Sequence, residues 1–260
     1  MEMEHISIKP VWPKSKDEIW AEKFEALDSR NEKKRPARRF PLWTYAAAAA
    51  AAVFIPLFVA ACFYTVTVHT ARGEQSAVQL PDRSTVTLNA ESKLSYKPFV
   101  WFVQRKVTLE GEAFFEVKRG SRFCVRSGTN QVNVLGTTFN VYARTSMYRV
   151  TCLTGQVEVC VGRETAVLNP NMQAVFREQR PEITEDITHA TANGWIQGKF
   201  VFVETPLSEV IAEVERQYNI HVAPGYDPNH FFTGNFSKTR NAEELLEIIG
   251  KPFGIQFSIE

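Results

Sequence analysis

Between Phe40 and Val68 the chain has no charged side chain. An amphipathic core helix cannot run that far without a polar face, so the gap in charge excludes an ordinary soluble element there. An excess of one sign is missing as well, with 30 Lys and Arg against 29 Asp and Glu for a formal net charge of +1. That balance removes the broad positive field on which nucleic-acid binding depends. Cysteine is scarce: Cys62 lies in the uncharged run, and Cys124, Cys152 and Cys160 form no CxxC pair. No histidine stands at metal-ligand spacing from them, which leaves no zinc signature. Gly-x-Ser-x-Gly, His-Glu-x-x-His and a phosphate-binding glycine loop are all absent, and His69, His189, His221 and His230 are scattered. The sequence therefore points away from an enzyme and calls for no cofactor and no metal.

What fills the uncharged run is apolar. A bilayer's hydrocarbon layer of roughly 30 Å needs about 20 apolar residues in a helix. Leu42 to Val66 supplies them, with Trp43, Tyr45 and Tyr64 near the ends as interfacial anchors. Lys33, Lys34, Arg35, Arg38 and Arg39 precede it, and basic flanks stay on the cytoplasmic side. The expected layout is a cytoplasmic arm over 1–40, a transmembrane helix over 41–68, and everything later outside, in a single-pass inner-membrane protein. A leader cleaved or lipidated at Val59-Ala60-Ala61-Cys62 is the competing reading. Against it, the preceding arm is long for such a leader, and the apolar run continues past Cys62. Pro56 removes one backbone donor mid-span, which membrane helices tolerate.

In the arm, Ser15-Lys16-Asp17-Glu18 has the form of a capping box and predicts a helix from about Lys16 to Ser29. Ile19, Trp20, Phe24 and Leu27 make its apolar stripe. A helix this short is not stable alone, so the stripe must find the membrane face, a second copy, or a partner's groove.

From Glu74 the period changes. Val86 and Leu88, Val107 and Leu109, Ala113, Phe115 and Val117, Val132 and Val134, and Val157, Val159 and Val161 alternate with polar residues between turn glycines. Over 74–180 this predicts an all-β domain of ten to twelve short strands, a jelly roll, a sandwich or a short solenoid. Glu110, Glu112 and Glu116 fall on the outward phase and read as a solvated face, not as paired catalytic carboxylates. Cys124 and Cys160 share the outward phase, which permits a disulfide, with free thiols the preferred state.

After the linker 182–193, a shift of about 35 residues lays Val210, Ile211, Val214, Tyr218, Ile220 and Val222 on Leu245, Leu246, Ile249, Phe253, Ile255 and Phe257. Each half reads strand, helix, strand. The region 194–260 is thus predicted to be a small α+β βαββαβ domain, with Pro206 opening the first helix and Asn241 capping the second.

Three stretches are dense enough to be signatures: Leu80-Pro81-Asp82-Arg83-Ser84-Thr85-Val86-Thr87-Leu88-Asn89-Ala90, Leu109-Glu110-Gly111-Glu112-Ala113-Phe114-Phe115-Glu116-Val117 and Val132-Asn133-Val134-Leu135-Gly136-Thr137-Thr138-Phe139-Asn140-Val141. Together they resemble the FecR family, membrane-spanning anti-sigma regulators of Gram-negative bacteria. Arg83 stands where the family usually has glycine. Trp195-x-x-Gly198-x-Phe200-x-Phe202 and Glu215-Arg216-Gln217-Tyr218-Asn219 resemble the secretin and TonB short N-terminal type domain that follows the β region in Bacteroidetes members.

The resemblance implies a relay. The arm would hold an extracytoplasmic-function (ECF) sigma factor through Ile19, Trp20, Phe24 and Leu27, although family arms are usually longer. The periplasmic domains would meet the signalling domain of a TonB-dependent outer-membrane transducer, with Phe231, Phe232, Phe257 and Ile259 as contact candidates, and envelope proteases would release the arm. The chain stops at Glu260, where family members usually continue through another short strand. This implies a truncation or an open sheet edge awaiting a partner's strand. A different function stays open: a membrane-tethered periplasmic binding module for glycan or peptide, using aromatics such as Trp101, Phe102, Phe231 and Phe232, with no role in sigma regulation.

Overall fold

The structure is a computed structural model that describes residues 11, 13–31, 41–144, 147–177, 180–185, 187, 192–228, 230–238 and 241–260. The basic cluster from Lys33 to Arg39, on which the expected orientation rests, lies outside the described residues. The chain divides into two units, Met1–Pro56 and Leu57–Glu260.

The first unit holds helix α1 (Lys16–Asn31) and most of helix α2 (Leu42–Phe63). The capping box forms as the sequence predicts. The Ser15 amide donates to Glu18 Oε2 at 2.9 Å, and the Glu18 amide donates to Ser15 Oγ at 3.2 Å. α2 has 22 residues, no buried side chain, and Pro56 within it. At 1.5 Å per residue it reaches about 33 Å, enough to cross a hydrocarbon layer.

In the second unit thirteen strands form one continuous β network, β1 (Val66–Thr70), β2 (Ser76–Gln79), β3 (Thr85–Leu88), β4 (Ser92–Tyr96), β5 (Arg105–Glu116), β6 (Phe123–Ser127), β7 (Asn130–Val134), β8 (Thr138–Arg144), β9 (Met147–Thr154), β10 (Val157–Val161), β11 (Glu164–Leu168), β12 (Gln173–Arg177) and β13 (Arg180–Thr184). The long β5 joins two sheets. Its first half pairs with β4 antiparallel and with β6 parallel; its second half pairs with β3 and β8. The change of sheet falls at Gly111, where φ is 97° and an added Cβ would lie 2.8 Å from the Ser92 Cα. Only glycine accepts that backbone and that approach. The result is the near-closed jelly-roll-like β domain the alternation predicts, with β1 joining ahead of Glu74.

Its interior is the inward phase of the alternating runs. Phe115, Phe123, Phe139, Leu88, Leu94 and Leu109 are fully buried, and the Phe115 and Phe139 rings stack at 4.9 Å. Each such side chain contributes about 1.5–3 kcal/mol of burial free energy. At the Asp82 turn, Arg83 itself takes the left-handed conformation at φ 65°, in place of glycine. Arg105, nearly buried, pins that turn by an ion pair to Asp82 and by donating to the Ser121 and Lys118 carbonyls at 2.6 and 2.8 Å. The cysteines are free. Cys124 and Cys160 are separated by β7, where they stand opposite Asn133 and Gln131, so two strand spacings and a two-residue offset hold them more than about 10 Å apart, too far for a disulfide.

The C-terminal region is a small α+β module. β14 (Lys199–Pro206) pairs antiparallel with β15 (Phe231–Ser237), and helices α3 (Leu207–Tyr218) and α4 (Ala242–Gly250) pack behind them. The helices begin 35 positions apart, as the repeat requires. Their buried faces, Val210, Ile211 and Val214 against Leu245, Leu246 and Ile249, are the superposed residues. The Asn241 side chain caps α4 by accepting from the Glu243 amide at 2.9 Å. The stretches expected as two further strands are reduced to a bridge between Val222 and Ile259, flanked by hydrogen bonds from Ala223 to Ser258 and from Glu260 to His221.

Candidate functional site

The polar residues of the signature stretches meet at one place, where the C-terminal module seats on the β domain. Asn89 follows β3, Glu112 follows the Gly111 crossing in β5, and Asn140 lies on β8. Asn89 and Asn140 donate to the two carboxylate oxygens of Glu112 at 2.7 and 2.8 Å, and the Glu112 amide donates to Ser92 Oγ at 3.0 Å. From α3, Gln217 donates to Asn89 Oδ1 at 2.6 Å and to Glu213 Oε1 at 2.9 Å, while Arg216 grips Glu213 Oε2 at 2.9 and 3.1 Å. Trp195 donates from its indole to Asn140 Oδ1 at 3.4 Å. The backbone joins in: the Gly73 amide donates to the Arg216 carbonyl at 2.7 Å, and Lys238 donates to the Gln217 carbonyl at 2.9 Å.

All of Asn89, Glu112, Asn140, Glu213, Arg216 and Gln217 are less than a tenth exposed. Buried polar groups are tolerated only when paired, and each of these has partners across or beside the joint. Burial pushes the Glu112 carboxyl pKa up, and the Glu213 charge adds to this against the pull of Arg149 and Arg144 and the hydrogen bond from Asn140. Burial also raises the Tyr142 hydroxyl to about 12. For Arg216 burial works downward, but the Glu213 carboxylate outweighs it and holds the guanidinium above its ordinary value. An apolar seam runs alongside, with Phe114 and Leu153 packed on Ala192 and Trp195. Next to it a cleft of about 60 Å³, reached by Glu112, Tyr142 and Phe202, is room for a water or two.

This overturns one expectation. Glu110 and Glu116 are exposed, but Glu112 is only 4 % exposed, not part of a solvated face. Its phase is outward as predicted; the outward face at 112 and 114 is covered by the second module. Alternation along one strand reports side, not cover. The legible signal was that Asn89, Glu112, Asn140, Arg216 and Gln217 all sit inside dense motifs without a catalytic task.

The contact candidates lie elsewhere. On α1, Trp20 and Phe24 are more than half exposed and stack at 5.3 Å, with Ile19 half-buried beside them. Leu27 is in the same helix, and its side chain lies outside the described residues. Phe231 is 60 % exposed at the start of β15, Phe257 is half-buried, and Ile259 is at the surface. Phe232 is a core residue, packed near Phe202, Phe236 and Phe253. Of the aromatics considered for a ligand site, Trp101 is likewise buried and Phe102 exposed. Among the described residues no group of three His, Cys, Asp or Glu could hold a metal ion.

A helix of membrane-spanning length, a jelly-roll-like domain and an α+β module locked to it by a buried polar joint give the layout of a membrane-anchored two-module protein. The FecR protein family matches residues 66–158, and the FecR C-terminal family matches 199–260. Two crystal structures of a proposed anti-sigma factor from Parabacteroides distasonis, at 2.50 and 1.65 Å, share 33 % and 34 % identity with the chain. They superpose with a TM-score of 0.68, covering 76 % and 75 % of this chain and 95 % of theirs. No curated protein is significantly similar. The chain belongs to the FecR family of anti-sigma factors.

Proposed function

We propose that the protein carries a signal across the inner membrane, from the signalling domain of a TonB-dependent outer-membrane transducer to an ECF sigma factor. The N-terminal arm is cytoplasmic in this reading and residues after α2 are periplasmic. The observation that carries it is the joint. Two modules fastened by buried hydrogen bonds and an ion pair move as one body, and β1 starts only three residues after the last residue of α2. An event at the C-terminal module is therefore felt at the span. The capped α1, with its Trp20–Phe24 pair open to solvent, offers the apolar stripe a sigma factor's groove would cover. At the other end, Phe231 starts β15 in a two-stranded sheet suited to strand addition by the transducer, with Phe232 behind it in the core, and Phe257 and Ile259 add apolar surface on the last stretch of the chain. Envelope proteases end the relay by cutting near the membrane and freeing the arm.

The test is retention of a cognate ECF sigma factor on the detergent-solubilised full chain. Combined Trp20→Ser and Phe24→Ser substitutions are expected to weaken retention at least about tenfold, as removal of two aromatic anchors does. Equal retention by the variant would remove the arm from sigma binding. Alkaline phosphatase fused after Glu260 is expected to be active in intact cells; an inactive fusion would reverse the orientation.

A further inference from the structure

We propose that the loop 97–104 is a second membrane contact, an apolar tip that dips into the headgroup layer beside the exit of α2. The inference rests on α2 crossing the bilayer. Strand pairing fixes the position: Val66, the first residue of β1, is opposite Tyr96 at the end of β4, and Tyr96 is opposite Val107 near the start of β5. The loop joining β4 to β5 must therefore emerge beside the chain's exit from the span. Side-chain contacts agree, with the Tyr64 and Phe99 rings 5.8 Å apart and Lys97 Nζ 5.2 Å from the centre of the Phe63 ring.

The loop is built as a wedge. Trp101 turns inward between Tyr96 and Phe123 and anchors it, while Phe99, Phe102 and Val103 point out at 56, 84 and 70 % exposure. Three outward apolar side chains in one short turn are costly in water and favourable in a bilayer interface. Lys97 and Lys106, lining a cleft with Thr65, supply charge for lipid phosphates. The C-terminal module is fastened at the opposite end of β1 and β4, around Thr70, Ser92 and Asn89. A wedge fixed here would hold the β domain at a set tilt on the membrane.

Photocrosslinking in nanodiscs of phosphatidylethanolamine and phosphatidylglycerol tests this on the full chain. p-Benzoylphenylalanine replaces Phe102, Phe58 within the span, or Ile248 on α4. The expected result is a phospholipid adduct at position 102, at about ten times the yield at 248. A yield at 102 no higher than at 248, or a dimer adduct in place of lipid, with normal labelling at 58, overturns the wedge and leaves the span intact. Absence of lipid adducts at 58 overturns both.

Discussion

Glu112 shows how far one side chain can carry an argument. Both of its carboxylate oxygens are taken by asparagine amides, and it lies one residue past the glycine that lets β5 change sheets. Leucine would fill similar space but take the acceptor from the Asn140 amide and leave the Asn89 amide only its 3.4 Å contact with Glu213 Oε1. An unsatisfied buried donor costs about 1–3 kcal/mol. Glu112→Leu is therefore expected to lower unfolding free energy by about 2–4 kcal/mol in urea titration. A loss below about 0.5 kcal/mol would mean that the joint contributes nothing to stability.

Among the elements, β5 is the organiser. It touches four other strands, and its bend depends on one positive φ. Gly111→Ala places a methyl group against Ser92 and forces a left-handed alanine, so a loss of at least about 2 kcal/mol is expected by the same titration, with the bend opened. The strands and helices around it were largely readable. Alternation gave the inward phase of Val107, Leu109, Ala113 and Phe115, the Ser15 box gave the start of α1, and the 35-residue repeat gave the faces of α3 and α4. What could not be read is what one element places on another. Nothing local distinguishes Glu110, which is wet, from Glu112, which α3 and its neighbours cover, and Phe231 and Phe232 differ only by which side of β15 meets the helices. Ile220–Val222 and Ile255–Ile259 were apolar enough for strands, yet ladder length depends on partners, and only Val222 and Ile259 found each other.

For the molecule as a whole, two carboxyls give stability opposite dependences on pH. Burial raises the Asp82 pKa, but hydrogen bonds from the Ser84 amide, Arg105 and the Ser84 hydroxyl more than offset this and hold it below its ordinary value. Its contribution is present above the unfolded pKa of about 3.9 and is lost as pH falls through the folded value. Glu112 is raised, so its contribution is complete below about 4.3 and is lost as pH rises through its folded value. Facing it are Glu213 and Arg216 from the C-terminal module, and Arg144, Arg149 and Tyr142 from the β domain. Melting curves of the parent and Glu112→Gln between about pH 4.5 and 8 check the sign. The parent is expected to lose more stability than the variant as pH rises, and parallel curves would show that Glu112 does not titrate in this window.

β1 has a consequence of a mechanical kind. It is the first strand after α2, among the described strands it pairs with β4 alone, and its far end runs through Ala71 and Arg72 to the Gly73 amide, which donates to the Arg216 carbonyl. A tug on the C-terminal module loads this five-residue ladder with no slack in between. If the ladder parts, about ten residues come free as a tether roughly 33 Å long. The part of the chain first in line to yield is thus also the part whose release would bare backbone directly after α2.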